Sequence, residues 1–284
     1  MNLAEHLKGL LLFLLFLVVL RLFFVDAYNI PSRSMEPTLL QGDFILSNKL
    51  VYRFSDPRRG DVIVFVYPYQ ARFGNPLVKV TFVKRVVAVG GDTVEFKNGF
   101  LVLNGRPLRY EKVKEATEVV RVYERVLTAD GRIVRRPVER KVEVVYYYEY
   151  LPSTVEGRVV KHLVRYWKRP APEALSGRYG VLADALPEGA CLERSEVFPS
   201  VCSKVRVPEG YYLVLGDNRD ESEDGRYWGL LAREFVLSRP FVVYFSGEVP
   251  PLTPEETDLL SGVRQLFRAL LHPRWERIGK PLIY

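Results

Sequence analysis

The sequence predicts a mainly β protein. A core of antiparallel sheets is interrupted by an inserted β subdomain, anchored by one N-terminal transmembrane helix and followed by a C-terminal amphipathic helix. Three observations lead to this. Residues 9–25 read GLLLFLLFLVVLRLFFV, apolar except for Arg21. Short β-branched and aromatic runs, punctuated by Gly-Asp and Asn-Gly pairs, recur in 27–107 and 206–250. Leu259, Leu260, Val263, Leu266, Phe267, Leu270 and Leu271 keep helical spacing near the C-terminus.

Composition narrows the classes. A chain of 284 residues, 48% hydrophobic, can bury a real core, which excludes a disordered chain. The formal net charge is +7, but Arg and Lys are interspersed with Asp and Glu. That pattern favours contact with an anionic membrane surface, and no nucleic-acid motif accompanies it. Cys191 and Cys202 are the only cysteines, without closely spaced His or Cys to complete a metal site. Neither metal nor cofactor is expected.

The apolar N-terminus has two readings. Val25-Asp26-Ala27 imitates the small-residue cleavage site of a signal peptide, whereas Arg21 breaks the stretch where such a peptide stays apolar. Leu3 to Ala27 is long enough to cross a hydrocarbon layer of about 30 Å, with Arg21 snorkelling to the interface. We take it as a retained anchor over 7–26, after a stub at 1–6. Basic residues following the span outnumber those before it, yet a long C-terminal domain can translocate regardless of its charge. An exported domain would also permit a Cys191–Cys202 disulfide.

Next comes IPSRSMEPTL, residues 30–39. Pro31 and Pro37 disfavour helix, so the segment should be extended or turning. Ser32 and Ser34 then face one way and Arg33 the other. A polar membrane-exit linker is the alternative.

Strands are expected at Phe44 to Leu46, Val62 to Tyr67 and Val78 to Val89. In the last of these, the even positions are Val78, Val80, Phe82, Lys84, Val86 and Ala88, apolar except for Lys84. Thr93 to Phe96 and Phe100 to Leu103 form a hairpin around Asn98-Gly99. Residues 108–205 change character and read as the inserted subdomain, with β runs at 119–127 and 133–150 joined through Asp130-Gly131. Core texture resumes at Tyr211 to Leu215, runs into Gly216-Asp217-Asn218-Arg219 and continues with Phe235 to Phe245. In the tail, 251–284, Thr253 and Glu256 resemble a capping box before the amphipathic helix.

A lysine on an apolar strand face either snorkels to the edge or is buried. Burial disfavours the ammonium, and a neutral amine can take a proton from a serine hydroxyl. Histidine is poorly placed for that task. His6 precedes the span, His162 lies in the insertion and His272 closes the tail helix. Gly-x-Ser-x-Gly and Ser-x-x-Lys signatures are both missing, which leaves a serine and lysine dyad.

At this point four segments together resemble the bacterial type I signal peptidase (leader peptidase) family: IPSRSMEPTL, RRGDVIVF at 58–65, VKRVVAVGGDTVE at 83–95 and GDNRDESEDGRYWG at 216–229. The match covers the core, 27–107 and 206–250, but not the insertion. The resemblance implies a membrane-anchored serine endopeptidase that removes signal peptides from exported preproteins. It also implies a single span in the cytoplasmic membrane, N-terminus inside and catalytic domain on the extracytoplasmic face. Ser34 would be the nucleophile and Lys84 the general base. The Ser32 hydroxyl and the Ser34 N–H would form the oxyanion hole. Ser222 would orient the lysine amine, above a support of Asp217, Asn218, Arg219, Asp224 and Arg226. Ile30, Met35, Phe82 and Val83 would wall the substrate cleft and leave room for small residues at positions −1 and −3. Arg33 and Gly225 depart from the family pattern without touching the dyad. Three rivals are a self-cleaving repressor-like protease, a catalytically dead membrane-anchored binding module, and a lipid or cell-wall binder.

Overall fold

The computed structural model describes residues 3–68, 80–127, 133–169, 176–249 and 259–282. An N-terminal helix spans Leu3–Phe23. Its segment Glu5–Phe23 is long and apolar enough to cross a membrane, and none of it is buried against the rest of the chain. The helix starts inside the expected stub and stops three residues short of 26. It stops there because Val25–Asn29 (β1) is drawn into a sheet by pairing antiparallel with Asp43–Asn48 (β2). Lys49 fastens this junction, donating from its backbone N–H to Phe24 O at 2.9 Å and from Nζ to Leu22 O at 3.2 Å.

The remaining strands follow in order: Val62–Val66 (β3), Thr81–Val89 (β4), Thr93–Lys97 (β5), Phe100–Leu103 (β6), Arg106–Pro107 (β7), Arg109–Leu127 (β8), Ile133–Pro152 (β9) and Val159–Trp167 (β10). Then come Val181–Leu182 (β11), Cys191–Arg194 (β12), Val201–Arg206 (β13), Tyr211–Leu215 (β14), Leu231–Ala232 (β15), Val236–Ser246 (β16) and Lys280–Pro281 (β17). The expected hairpin is present, with Asn98 and Gly99 both at positive φ in its turn, as a tight Asn-Gly connection requires. Val78, Lys79, the Asp130-Gly131 turn and the Thr253/Glu256 box fall outside the described residues.

Three antiparallel sheets result. The first runs β1-β2-β16-β3-β4-β14-β15 with β17 on β16. In it β16 pairs with β2 along Arg239–Ser246 but with β3 through Val236 and Ser238, with register shifts between. Such bulges bend a strand, so β16 carries the sheet around a corner. The second sheet runs β11-β13-β5-β6-β7 with β12 on β13, and the third is β10-β9-β8.

Packing between the first two sheets forms the largest apolar cluster. Val87, Ala88, Leu213 and Leu215 meet Phe96, Leu101, Val181, Cys202 and Val205 there. Each large side chain fully buried in this way contributes about 1.5–3 kcal/mol. A second cluster of Ile30, Met35, Leu39, Ile45, Val62 and Val243 sits beneath the serine segment and fixes it to the first sheet.

The insertion is not one separate unit. β8 to β10 form a sheet of their own, whereas β13 pairs with β5 through Lys204↔Glu95, Val205↔Val94 and Arg206↔Thr93. The second half of the insertion therefore completes a core sheet, because the β5–β6 hairpin needs a partner to bury Val94 and Phe96. Cys191 and Cys202 are disulfide-bonded, tying β12 to β13. Leu259–Leu271 is helical as expected. It packs through buried Ala269 close to Gly247, leaving Phe267, Leu270 and Leu271 exposed.

Candidate active site

Residues 32–39 form a run of turns, bounded by buried Ile30, Met35 and Leu39, with a cis peptide between Glu36 and Pro37. The turn keeps Ser32 and Ser34 together, their hydroxyl oxygens 3.2 Å apart. Arg33 points elsewhere, donating from Nε to Glu36 at 2.9 Å and from an NH2 nitrogen to Glu118 of β8 at 3.3 Å.

Lys84 is the fourth of the nine residues of β4, and its Nζ is 2.6 Å from Ser34 Oγ. The lysine is 3% exposed and the serine 9%. The amine also lies 5.5 Å from the centre of the Phe82 ring. Burial pushes its pKa down from 10.5 to about 8, although the carboxylates of Asp224 and Glu223 pull it back up. The lysine is therefore buried at the site and does not snorkel away. At pH 7 about one amine in ten is neutral.

These residues open onto a cavity of about 360 Å³ lined by Ile30, Ser32, Met35, Phe82 and Val83 together with both dyad residues. Asn29 and Ile30 of the β1 end and Thr81 to Val83 of β4 form its walls. On β4, pairing with β14 begins only at Arg85, so Thr81 to Lys84 are paired by β3 on one side alone. Ile30, Met35, Phe82 and Val83 all line this cavity.

Behind Ser34 and Lys84 lies the turn after β14. Asp217, fully buried, accepts from Arg85 Nε at 2.8 Å, from an Arg85 NH2 nitrogen at 2.7 Å and from the Thr38 hydroxyl at 2.5 Å. Burial alone would raise its pKa, but the Arg85 guanidinium holds it below the usual carboxylate range. Asn218 donates from its backbone N–H to Ser34 O at 3.1 Å and from Nδ2 to Arg33 O at 3.0 Å, pinning the Ser34 backbone from behind. Asp224 accepts from Arg226 Nε at 2.8 Å and from Gly216 N–H at 2.9 Å, and caps the short helix Gly225–Trp228. Gly216 is irreplaceable for space: a Cβ there would stand 2.2 Å from Ser222 Oγ and 2.4 Å from Ser34 O.

Ser222 differs from expectation. Its Oγ is buried beside Gly216 and has no hydrogen-bond partner among the described residues, the Lys84 amine included. Ser34 Oγ is the hydrogen-bonding partner of that amine instead.

Several site residues were not anticipated. Arg85, next to Lys84, turns to the opposite side of β4 and is fully buried on Asp217. From the insertion, Glu149 of β9 grips Arg219 through two bonds of 2.9 and 2.8 Å. Arg165 of β10 reaches Asn218 at 2.8 Å, Glu221 at 2.6 Å and Glu118 at 2.9 Å. His162, set aside in the sequence reading, is buried with Nε2 3.2 Å from Glu149 and 3.9 Å from Asp217. Burial and the nearby Arg85 charge push its pKa down.

The family described as Signal peptidase, peptidase S26 matches residues 3–245. Signal peptidase I of Aquifex aeolicus (strain VF5) is 43% identical over 277 residues, covering 95% of this chain and 96% of its own length. That of Pseudomonas fluorescens is 30% identical over 274 residues, covering 88% of this chain and 75% of its own. The chain therefore belongs to the signal peptidase I family, membrane-associated enzymes that cleave signal peptides.

Proposed function

We propose that this chain is a membrane-anchored serine endopeptidase that removes N-terminal signal peptides from exported preproteins, with Ser34 as nucleophile and Lys84 as general base. The observation that carries the proposal is the 2.6 Å approach of a buried lysine amine to a serine hydroxyl at the floor of an open cleft. In the acylation step neutral Lys84 takes the Ser34 proton as Oγ attacks the scissile carbonyl. The ammonium then returns that proton to the leaving amine, giving an acyl-enzyme. Water, deprotonated by the same amine, attacks the ester and frees Ser34. The Ser32 hydroxyl and the Ser34 N–H steady the oxyanion in both steps.

Substrate would enter as an extended segment between the β1 end and the one-sided stretch of β4, an added strand held by main-chain hydrogen bonds. Ile30, Met35, Phe82 and Val83 leave space for small side chains at −1 and −3. The helix Leu3–Phe23 would cross the cytoplasmic membrane once, N-terminus inside, and its lipids would surround it. The site would then lie on the extracytoplasmic face, where signal peptides emerge. Asp217, Asn218, Arg219, Asp224 and Arg226 hold the floor of the cleft, and Ser222 fills space behind the nucleophile. Incubating detergent-solubilised full chain with a preprotein bearing Ala-x-Ala, beside its Ser34→Ala variant, tests the reading. A single cut after the second alanine, absent from the variant, is expected.

A further inference from the structure

Away from the cleft, a second cavity of about 200 Å³ is ringed by Arg58, Arg59, Arg158 and Arg239, with Asp61 as its only acid. That carboxylate is already committed. It accepts from Tyr52 OH and the Arg58 N–H, both at 3.0 Å, and pairs with Arg239 at 3.2 Å. Arg59 has only a 3.5 Å approach to Asp92, and its Nε is buried without a hydrogen bond. The side chains of Arg58 and Arg158 form no ion pair among the described residues. Four guanidiniums around one engaged carboxylate repel one another, and guanidinium forks match the oxygens of a phosphate.

The position of this cavity suggests the source of the anion. Arg239 of β16 stands opposite Asn48 of β2, and Asn48 opposite Val25 of β1. Two strand spacings of about 4.8 Å thus put the Arg239 backbone roughly 10 Å from Val25, two residues beyond the end of the apolar helix. A larger cavity of about 610 Å³ shares Arg59 and Val159 with the basic one and is lined by Leu103, Pro107, Leu108 and Pro152 beside Arg106 and Arg109.

We propose that the arginine cavity binds the phosphodiester of an anionic lipid headgroup where the chain leaves the bilayer. The inference rests on the reading of Leu3–Phe23 as a membrane anchor, but not on the peptidase reaction. It separates a built site from diffuse attraction to a charged surface, because Arg53, four residues beyond Lys49 in sequence, is exposed yet lies outside the cavity.

The test is titration of the full chain in a neutral detergent at 0.15 M salt. Short-chain phosphatidylglycerol, short-chain phosphatidylcholine and inorganic phosphate are each added, and binding is read by native mass spectrometry and thermal shift. Phosphatidylglycerol should bind saturably and raise the unfolding midpoint, phosphatidylcholine should not, and Arg58→Gln/Arg158→Gln should lose roughly tenfold or more in affinity. Arg53→Gln should bind as wild type does. Equal binding of both lipids, undiminished binding by the double variant, or equal loss in Arg53→Gln would overturn the proposal. Inorganic phosphate binding as tightly as phosphatidylglycerol would overturn the assignment to lipid. Preprotein cleavage by the double variant should be unchanged, which shows the fold is intact and keeps this outcome apart from failure of the peptidase reading. If the double variant does not fold, the same comparison is made with each single variant.

Discussion

Glu149, on a strand of the inserted sheet, holds Arg219 of the catalytic turn in a two-bond fork with both side chains buried. Burial opposes the charged carboxylate, but Arg219 and His162 hold its pKa well below the ordinary range. The insertion thereby braces the turn that also carries Asp217 and Asn218. Glu149→Ala leaves a buried guanidinium unpaired, and breaking such a pair costs about 3–5 kcal/mol. Thermal unfolding of the detergent-solubilised chain should show a drop of several degrees, with weakened cleavage. A midpoint within a degree of wild type would mean the fork does not brace the turn.

The amine of Lys84 sets two pH signatures, in activity and in stability, that both rise with pH but in adjacent windows. With its pKa at about 8, kcat/KM should climb about tenfold per pH unit below that value and level off above it. A flat profile would remove the amine base.

Stability follows from the same number. The unfolded chain holds the Lys84 proton up to about 10.5 and the folded chain only to about 8, so between them the unfolded state binds more protons and stability rises with pH. Below about pH 8 the fold bears the full cost, about 3 kcal/mol by the spacing of the two values. Lys84→Met should therefore unfold at a higher temperature than wild type near pH 7. That advantage should fade as pH approaches 10.5, and an advantage that grew with pH would contradict the burial account.

Much of the dyad was legible because strand alternation exposes an intruder. Lys84 is the one charge on the even face of its strand, and prolines force the Ser32/Ser34 segment out of helix. Arg85 was not legible, since it shares the odd positions with Lys79, Thr81, Val83, Val87 and Val89, a mixed face on which no one residue stands out. The fold buries that face at Arg85, opposite Leu215. Glu149 and Arg165 were not legible, because their partners lie 70 and 53 residues away in sequence and no local pattern marks such a pairing. The resemblance placed Ser222 on the amine, a contact that depends on side-chain geometry no spacing encodes.

Ile30 and Val83 share an apolar cluster with Met35 and border the cleft. Replacing either by alanine enlarges the wall, and a methylene or two in such a pocket is worth about 1–3 kcal/mol of discrimination. Ile30→Ala and Val83→Ala should each improve cleavage of a preprotein carrying valine at −1 or −3, relative to alanine, by roughly tenfold. Unchanged selectivity in both variants would place the specificity wall elsewhere.

The central claim is that Ser34 and Lys84 act as one unit, and the rate of cleavage of an Ala-x-Ala preprotein by the full chain tests it most directly. Ser34→Ala and Lys84→Ala should each fall by at least about a thousandfold, with unfolding curves showing that both variants remain folded. Near-normal turnover by either folded variant would contradict the account.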